Sequence, residues 1–144
     1  MWRRDMRGER AQSLAEFAVL LPILLILALG AVDYGRVYFA YISVTNAARN
    51  GAQYGSTGLD AAADEAGVRA AALEETSDLL NTSPTNPTVT VLGPFPASPS
   101  CQDDDANPCV KVTVEYTFDT LFDWPGLPTS VIMERSVQMR VASE

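Results

Sequence analysis

The sequence predicts an α+β fold: a long N-terminal helix that crosses a membrane and continues into a small domain, a second helix, and a three-stranded, mainly antiparallel sheet. Three observations carry that expectation. Nineteen residues from Leu14 to Val32 are apolar apart from Glu16. No proline interrupts Val37 to Tyr54, and Val37, Tyr41, Val44, Ala48 and Ala52 recur there at helical spacing. In the last third, Val110–Phe118 and Val131–Val141 alternate apolar and polar residues as half-buried strands do.

The apolar run comes first. At about 1.5 Å per residue it reaches about 28 Å, close to the hydrocarbon thickness of a bilayer. A cleaved secretory signal would have a shorter apolar core followed by a small-residue site, and here the run passes unbroken into Asp33-Tyr-Gly-Arg-Val-Tyr-Phe-Ala-Tyr41. A buried helix of a soluble core is the other alternative, but a chain of 144 residues is too small to cover so long an apolar stretch. Pro22 would cost about 3 kcal/mol inside a soluble helix, whereas membrane helices tolerate it and often bend there. Tyr34, Tyr38 and Tyr41, beside Asp33 and Arg36, suit the outer interfacial belt.

Charge gives the orientation. The formal charge is −8, unevenly spread. Residues 1–11 set Arg3, Arg4, Arg7 and Arg10 against Asp5 and Glu9; beyond residue 32 there are six basic and fifteen acidic side chains. A basic flank, an apolar run and an acidic body follow the positive-inside pattern, with the N-terminus cytoplasmic. The acidic body also argues against nucleic acid, since little in it could neutralise a phosphate backbone. The chain has no histidine, which excludes Ser-His-Asp and Cys-His catalysis and His-ligated metals. No nucleophile motif or Gly-rich phosphate loop is present, so no enzymatic role and no cofactor are expected.

The helix begun in the membrane should run from residue 12 to residue 54, roughly 65 Å at helical rise, and stop at Gly55-Ser-Thr-Gly58. Residues 55–144 then form an extracytoplasmic α+β domain. Asp60 to Leu80 reads as a second helix, with Leu59, Ala62, Ala66, Ala70, Leu73, Ser77 and Leu80 as its packing stripe. Asn81–Pro87 is a linker, Thr88–Leu92 a short strand, and Gly93–Pro99 is too proline-rich for either element. In the next strand Val110, Val112, Val114, Tyr116 and Phe118 face inward. In the last, Val131, Met133, Val137, Met139 and Val141 share one side. Phe122–Pro128 between them is a turn.

Cys101 and Cys109 lie eight residues apart in one loop. Outside the cytoplasm they read as a disulfide; in a reducing compartment they would be free thiols. Asp103, Asp104 and Asp105 sit inside that loop. Clustered carboxylates suit a calcium ion, but their spacing is not that of an EF-hand, and a solvated acidic loop is the simpler reading.

Several segments occur together in an order that points to a family. They are Arg7-Gly-Glu-Arg-Ala-Gln-Ser-Leu-Ala-Glu16-Phe17, the apolar run with Pro22, Asp33-Tyr34-Gly35-Arg36, and Asn46-Ala47-Ala48-Arg49-Asn50-Gly51-Ala52. Over residues 7–54 the chain resembles the TadE-like proteins, minor pilins or pseudopilins of the tight-adherence (Tad, type IVc) pilus system. The resemblance implies a pilin-like fold and a structural subunit that helps build or anchor a pilus for surface attachment. It implies as partners other pilin subunits, the pilus assembly platform, a prepilin peptidase and membrane lipid, with the protein in the bacterial cytoplasmic (inner) membrane. A membrane-tethered binding module outside any filament is the alternative.

The family's usual processing site is a Gly, four residues, then Glu and an aromatic. Counting back from Glu16-Phe17 puts Ala11 where the Gly would be, so the resemblance implies cleavage between Ala11 and Gln12. Gly8 is the alternative at a longer spacing, and an uncleaved leader is the third outcome. In pilins the corresponding glutamate is thought to pair with the N-terminal amine of a neighbouring subunit. For Glu16 that pairing would offset the cost of a carboxylate in the membrane; snorkelling to the inner interface is the alternative. Asp33, Tyr34, Gly35, Arg36, Asn46 and Arg49 are the family-motif residues expected around the outer interface.

Overall fold

The computed structural model describes residues 6–80, 87–95, 108–123, 126 and 128–142. By packing, the chain divides into two units, Met1–Arg36 and Val37–Glu144, and helix α1 (Met6–Gly55) contributes to both. The helix thus begins six residues before the expected Gln12 and ends one residue beyond Tyr54.

In the first unit every residue from Gln12 to Val32 is exposed except Gly30, which is half-buried. Here α1 is long and apolar enough to cross a membrane, with none of its apolar stretch covered by the protein. It is the one such helix among the described residues, consistent with a single-pass membrane protein. Pro22 lies inside the helix.

In the second unit α1 changes composition. Its buried residues are Ala40, Ser43, Val44, Ala47, Ala48 and Ala52, together with Gly51 and Gly55. The face expected from spacing is therefore rotated: Val44, Ala48 and Ala52 are buried and Val37 packs at the edge, but Tyr41 is 43% exposed. Small side chains mark where the backbone itself must approach its neighbours. A Cβ on Gly51 would meet Ala72 Cβ and Val112 Cγ1 at 3.1 Å and the Val68 carbonyl oxygen at 3.2 Å. After Gly55 the helix stops because the chain supplies its own acceptors' partners: Ser56 Oγ and Thr57 Oγ1 donate to the Gln53 and Tyr54 carbonyls at 2.8 Å.

The expected single helix over Asp60–Leu80 is three short ones: α2 (Leu59–Ala63), α3 (Glu65–Glu74) and α4 (Ser77–Leu80). Asp64 makes the first break. Its backbone leaves the helical region (φ −82, ψ 76), and its side chain N-caps α3, Oδ1 accepting from Gly67 N at 3.0 Å. Thr76 makes the second, its hydroxyl donating to the Leu73 carbonyl at 3.0 Å. The breaks change the packing stripe. Ala62, Val68, Ala72, Thr76 and Leu79 are buried, whereas Ala66, Ala70 and Ser77 are exposed and Leu59 is also exposed.

The sheet is a meander of β1 (Thr88–Phe95), β2 (Cys109–Asp119) and β3 (Ser130–Arg140), antiparallel throughout, with β2 in the centre. As expected, Val110, Val112, Val114, Tyr116 and Phe118 are all buried. β1 runs three residues further than expected, through Gly93-Pro94-Phe95, because the register shifts between Leu92 and Phe95. Gly93 takes φ 138 and passes so close to β2 that a Cβ would lie 2.7 Å from the Cys109 carbonyl oxygen. On this edge strand a bulge lets Pro94 remain in the strand without an N–H. On β3, Met133 and Val141 are buried and Val137 and Met139 pack against the core, while Val131 stays 39% exposed. Asn81–Asn86, Cys101 and Asp103–Asp105 lie outside the described residues.

Candidate functional site

Glu16 and Phe17 are both exposed on the apolar part of α1. A lone carboxylate there needs a partner, and the chain supplies one from the preceding turn: Gln12 Nε2 donates to Glu16 Oε1 at 3.2 Å. Gly8, Ala11 and Gln12 all fall within α1. The expected processing position and Glu16 are therefore on one helical stretch, with Gln12 one turn from Glu16.

Asp33 closes the apolar run. It is buried, and its Oδ1 accepts from Arg36 Nη1 at 3.2 Å, an i,i+3 pair. Tyr34 and Gly35 beside it are exposed, and nothing lies within 4 Å of where a Gly35 Cβ would be.

The Asn46–Ala52 segment divides by face. Ala47, Ala48, Gly51 and Ala52 are buried against the domain, and Asn46 and Arg49 are exposed. Asn50 reaches across to Glu75, donating from Nδ2 at 2.7 Å, so this segment ties α1 to the end of α3. Packing thus accounts for Ala47, Ala48, Gly51 and Ala52, while Asn46 and Arg49 face outward.

Two clusters escaped the sequence reading. Arg135 occupies an inward position of β3, opposite buried Val114. Its guanidinium lies over the Tyr41 ring, 4.4 Å from the centroid, and donates to the Tyr41 hydroxyl. Tyr41 is therefore engaged with the sheet and is not solely a belt residue. The signal was a charge interrupting the apolar row of the last strand. The second cluster is Tyr54, Asp64 and Gly67. The Tyr54 hydroxyl donates to Asp64 Oδ2 at 3.1 Å while Asp64 caps α3. That hydrogen bond, and secondarily the carboxylate's charge, raise the Tyr54 phenol above its ordinary 10.0. A Cβ at Gly67 would displace this pair, because it would meet Asp64 Oδ2 and the Tyr54 hydroxyl.

Cys109 is buried, and no cysteine among the described residues is free.

Residues 11–53 match the TadE-like protein family, the span of α1 from the expected processing position through the Asn46–Ala52 segment. The match bears out the resemblance over those residues. No curated protein and no solved structure matches.

Proposed function

We propose that this chain is a structural assembly subunit, a minor pilin or pseudopilin that helps build or anchor a Tad (type IVc) pilus for surface attachment. The observation that carries this reading is that one continuous helix holds an exposed apolar run followed by a run whose buried residues are mostly small, and that the family match covers the first and nearly all of the second. Such a helix serves two environments in turn, lipid and a folded domain, as a pilin subunit requires. The subunit sits in the bacterial inner membrane with its basic N-terminus cytoplasmic and its acidic domain outside, following the charge asymmetry across the span. Its partners are other pilin subunits, the assembly platform and a prepilin peptidase. Outside the cytoplasm, Cys101 and Cys109 form a disulfide across the acidic loop.

Cleavage between Ala11 and Gln12 removes the Arg-rich leader and leaves Gln12 as the new N-terminus. Glu16, one turn away, then offers its carboxylate to the free amine of a neighbouring subunit, the interaction that makes it tolerable in the membrane. The intact mass of the membrane-extracted protein tests the first step. A chain beginning at Gln12 supports it; one beginning at Glu9 moves the site to Gly8, and one retaining Met1 or Trp2 points to a static anchored subunit. Glu16→Ala tests the second: the variant should insert and fold but fail to co-purify with pilus components, and normal assembly would remove Glu16 from the mechanism.

A further inference from the structure

Within the unit Val37–Glu144, two charged groups stand outside any ion pair among the described residues, and they lie on opposite faces. The first is a pair of carboxylates. Glu115 on β2 and Glu134 on β3 are register partners, and both are exposed. Hydrogen bonds at the two ends of the ladder set its alternation: Thr120 N donates to the Thr129 carbonyl and Val141 N to the Pro108 carbonyl, both at 2.9 Å. Alternating inward from either end makes Glu115–Glu134 a non-hydrogen-bonded pair. Such partners bring their side chains closest, with Cβ atoms about 4.5–5.5 Å apart, and like charges placed so are destabilising.

The second group is Arg49. It is exposed and enters no ion pair, whereas Arg69 is held by Glu65 at 2.8 Å. Ile42, Asn46, Arg49 and Gln53 are all exposed and follow at i, i+4, i+7 and i+11, one stripe along α1. The other side of the helix buries Val44, Ala47, Ala48 and Gly51, and a Gly51 Cβ would meet Val112. Val112 therefore faces α1, and Glu115, three residues along β2, faces away from it. The sheet separates the two groups, so one molecule cannot bring its own Arg49 to its own glutamates.

We propose that this stripe of α1 docks on the outer sheet face of a second copy of the chain, with Arg49 seated between that copy's Glu115 and Glu134. A guanidinium presents five donors in a planar fork and can hold two carboxylates. Asn46 and Gln53 flank it with amides. Ile42, 39% exposed, has its counterpart in Ile132, 66% exposed and two residues from Glu134 on the same face. The charges set register and orientation more than strength. The two surfaces differ, so the contact is heterologous and repeats from copy to copy as an open array or a ring. It deepens the structural-subunit reading, on which it rests for its role, by naming a partner and the two faces that meet.

The test uses the full chain in detergent micelles. Arg49→Lys keeps the charge and supplies an amine that a zero-length carbodiimide couples to a carboxylate. With isotope-labelled and unlabelled copies mixed, mass spectrometry should find an intermolecular amide from that amine to Glu115 or Glu134. The product should be lost at about 1 M salt, where the screening length falls to about 3 Å. Sedimentation of the wild type should show oligomers that Arg49→Glu and Glu115→Gln/Glu134→Gln each abolish. Mixed together, the two variants should form a 1:1 dimer and nothing larger, because each keeps the face the other lacks. Should Arg49→Glu not fold, Arg49→Gln replaces it. A monomeric wild type, oligomers unchanged in either variant, or no dimer on mixing overturns the proposal. A melting temperature raised by calcium in the wild type but not in Glu115→Gln/Glu134→Gln gives the carboxylates to a metal ion and also overturns it. Missing cross-links with normal co-purification of pilus components overturn the contact alone. Self-association through these faces without such co-purification keeps the contact and removes the pilus reading.

Discussion

The two halves of α1 obey opposite composition rules within one helix. Between Gln12 and Val32 most side chains are apolar and exposed, many of them Leu, Ile or Val, with Leu27 at 64%. Between Ala40 and Gly55 the buried residues are mostly Ala and Gly, with Ala47, Ala48 and Ala52 at 0% exposure. The difference follows from what each half touches. Lipid chains are fluid and fill around any shape, so the membrane half needs only apolar bulk and length. The domain half meets packed neighbours at fixed distances, where a Cβ at Gly51 would crowd Ala72, Val112 and the Val68 carbonyl. Hydrophobicity thus marks one half, and smallness marks the other.

The largest effect expected from breaking that division is on the membrane half. Leu24→Arg should raise the insertion free energy by about 2.5–3.5 kcal/mol, read as loss of protein from the carbonate-washed membrane fraction. Retention at the wild-type level would mean that this half is not a span. Next is overpacking of the domain half. Ala48→Leu should destabilise the domain by about 1–3 kcal/mol in denaturant unfolding, whereas Ala28→Leu in the membrane half should leave domain unfolding unchanged. Equal effects at both positions would erase the contrast.

Smaller is the tie between Tyr41 and Arg135. Arg135→Gln should lower domain stability by about 0.5–1 kcal/mol, the range of an exposed cation–π contact. A double-mutant cycle with Tyr41→Phe separates ring from hydroxyl. Smallest is a pH effect at the end of α1. The Tyr54 phenol is raised in the fold by its bond to Asp64. A raised folded value means the contribution is complete below the ordinary 10.0 and is lost as pH rises through the folded value. Wild type should therefore lose more stability than Tyr54→Phe in the alkaline range, and parallel pH profiles would show that the bond is unimportant.

Legibility followed the kind of signal each segment carries. The strands were readable because period 2 separates buried Val110, Val112 and Val114 from their polar neighbours. The segment from Leu59 to Leu80 was not, because seven alanines allow almost any helical face to look apolar. Only the packing of Val68 and Ala72 against Gly51, with Asp64 capping α3, selected the face and cut the helix in pieces. Gly93-Pro94 looked like a breaker because the bulge that absorbs it depends on β2 alongside. Of the candidate site, the Glu16–Phe17 pair and both motif segments were visible, since each is a local string. Arg135 was missed because its partner lies 94 residues away.

The sequence by itself therefore determined the apolar run, its end at Asp33, the stop after Gly55 and the inward rows of the strands. These are properties of neighbouring residues and survive without knowledge of what they pack against. The tertiary structure alone decided which side of α1 meets the sheet, where the alanine-rich segment breaks, and why an arginine sits in an inward row. The physical reason is that small residues carry almost no amphipathic signal. Their role is to permit close approach, and approach is defined only once the second surface is in place.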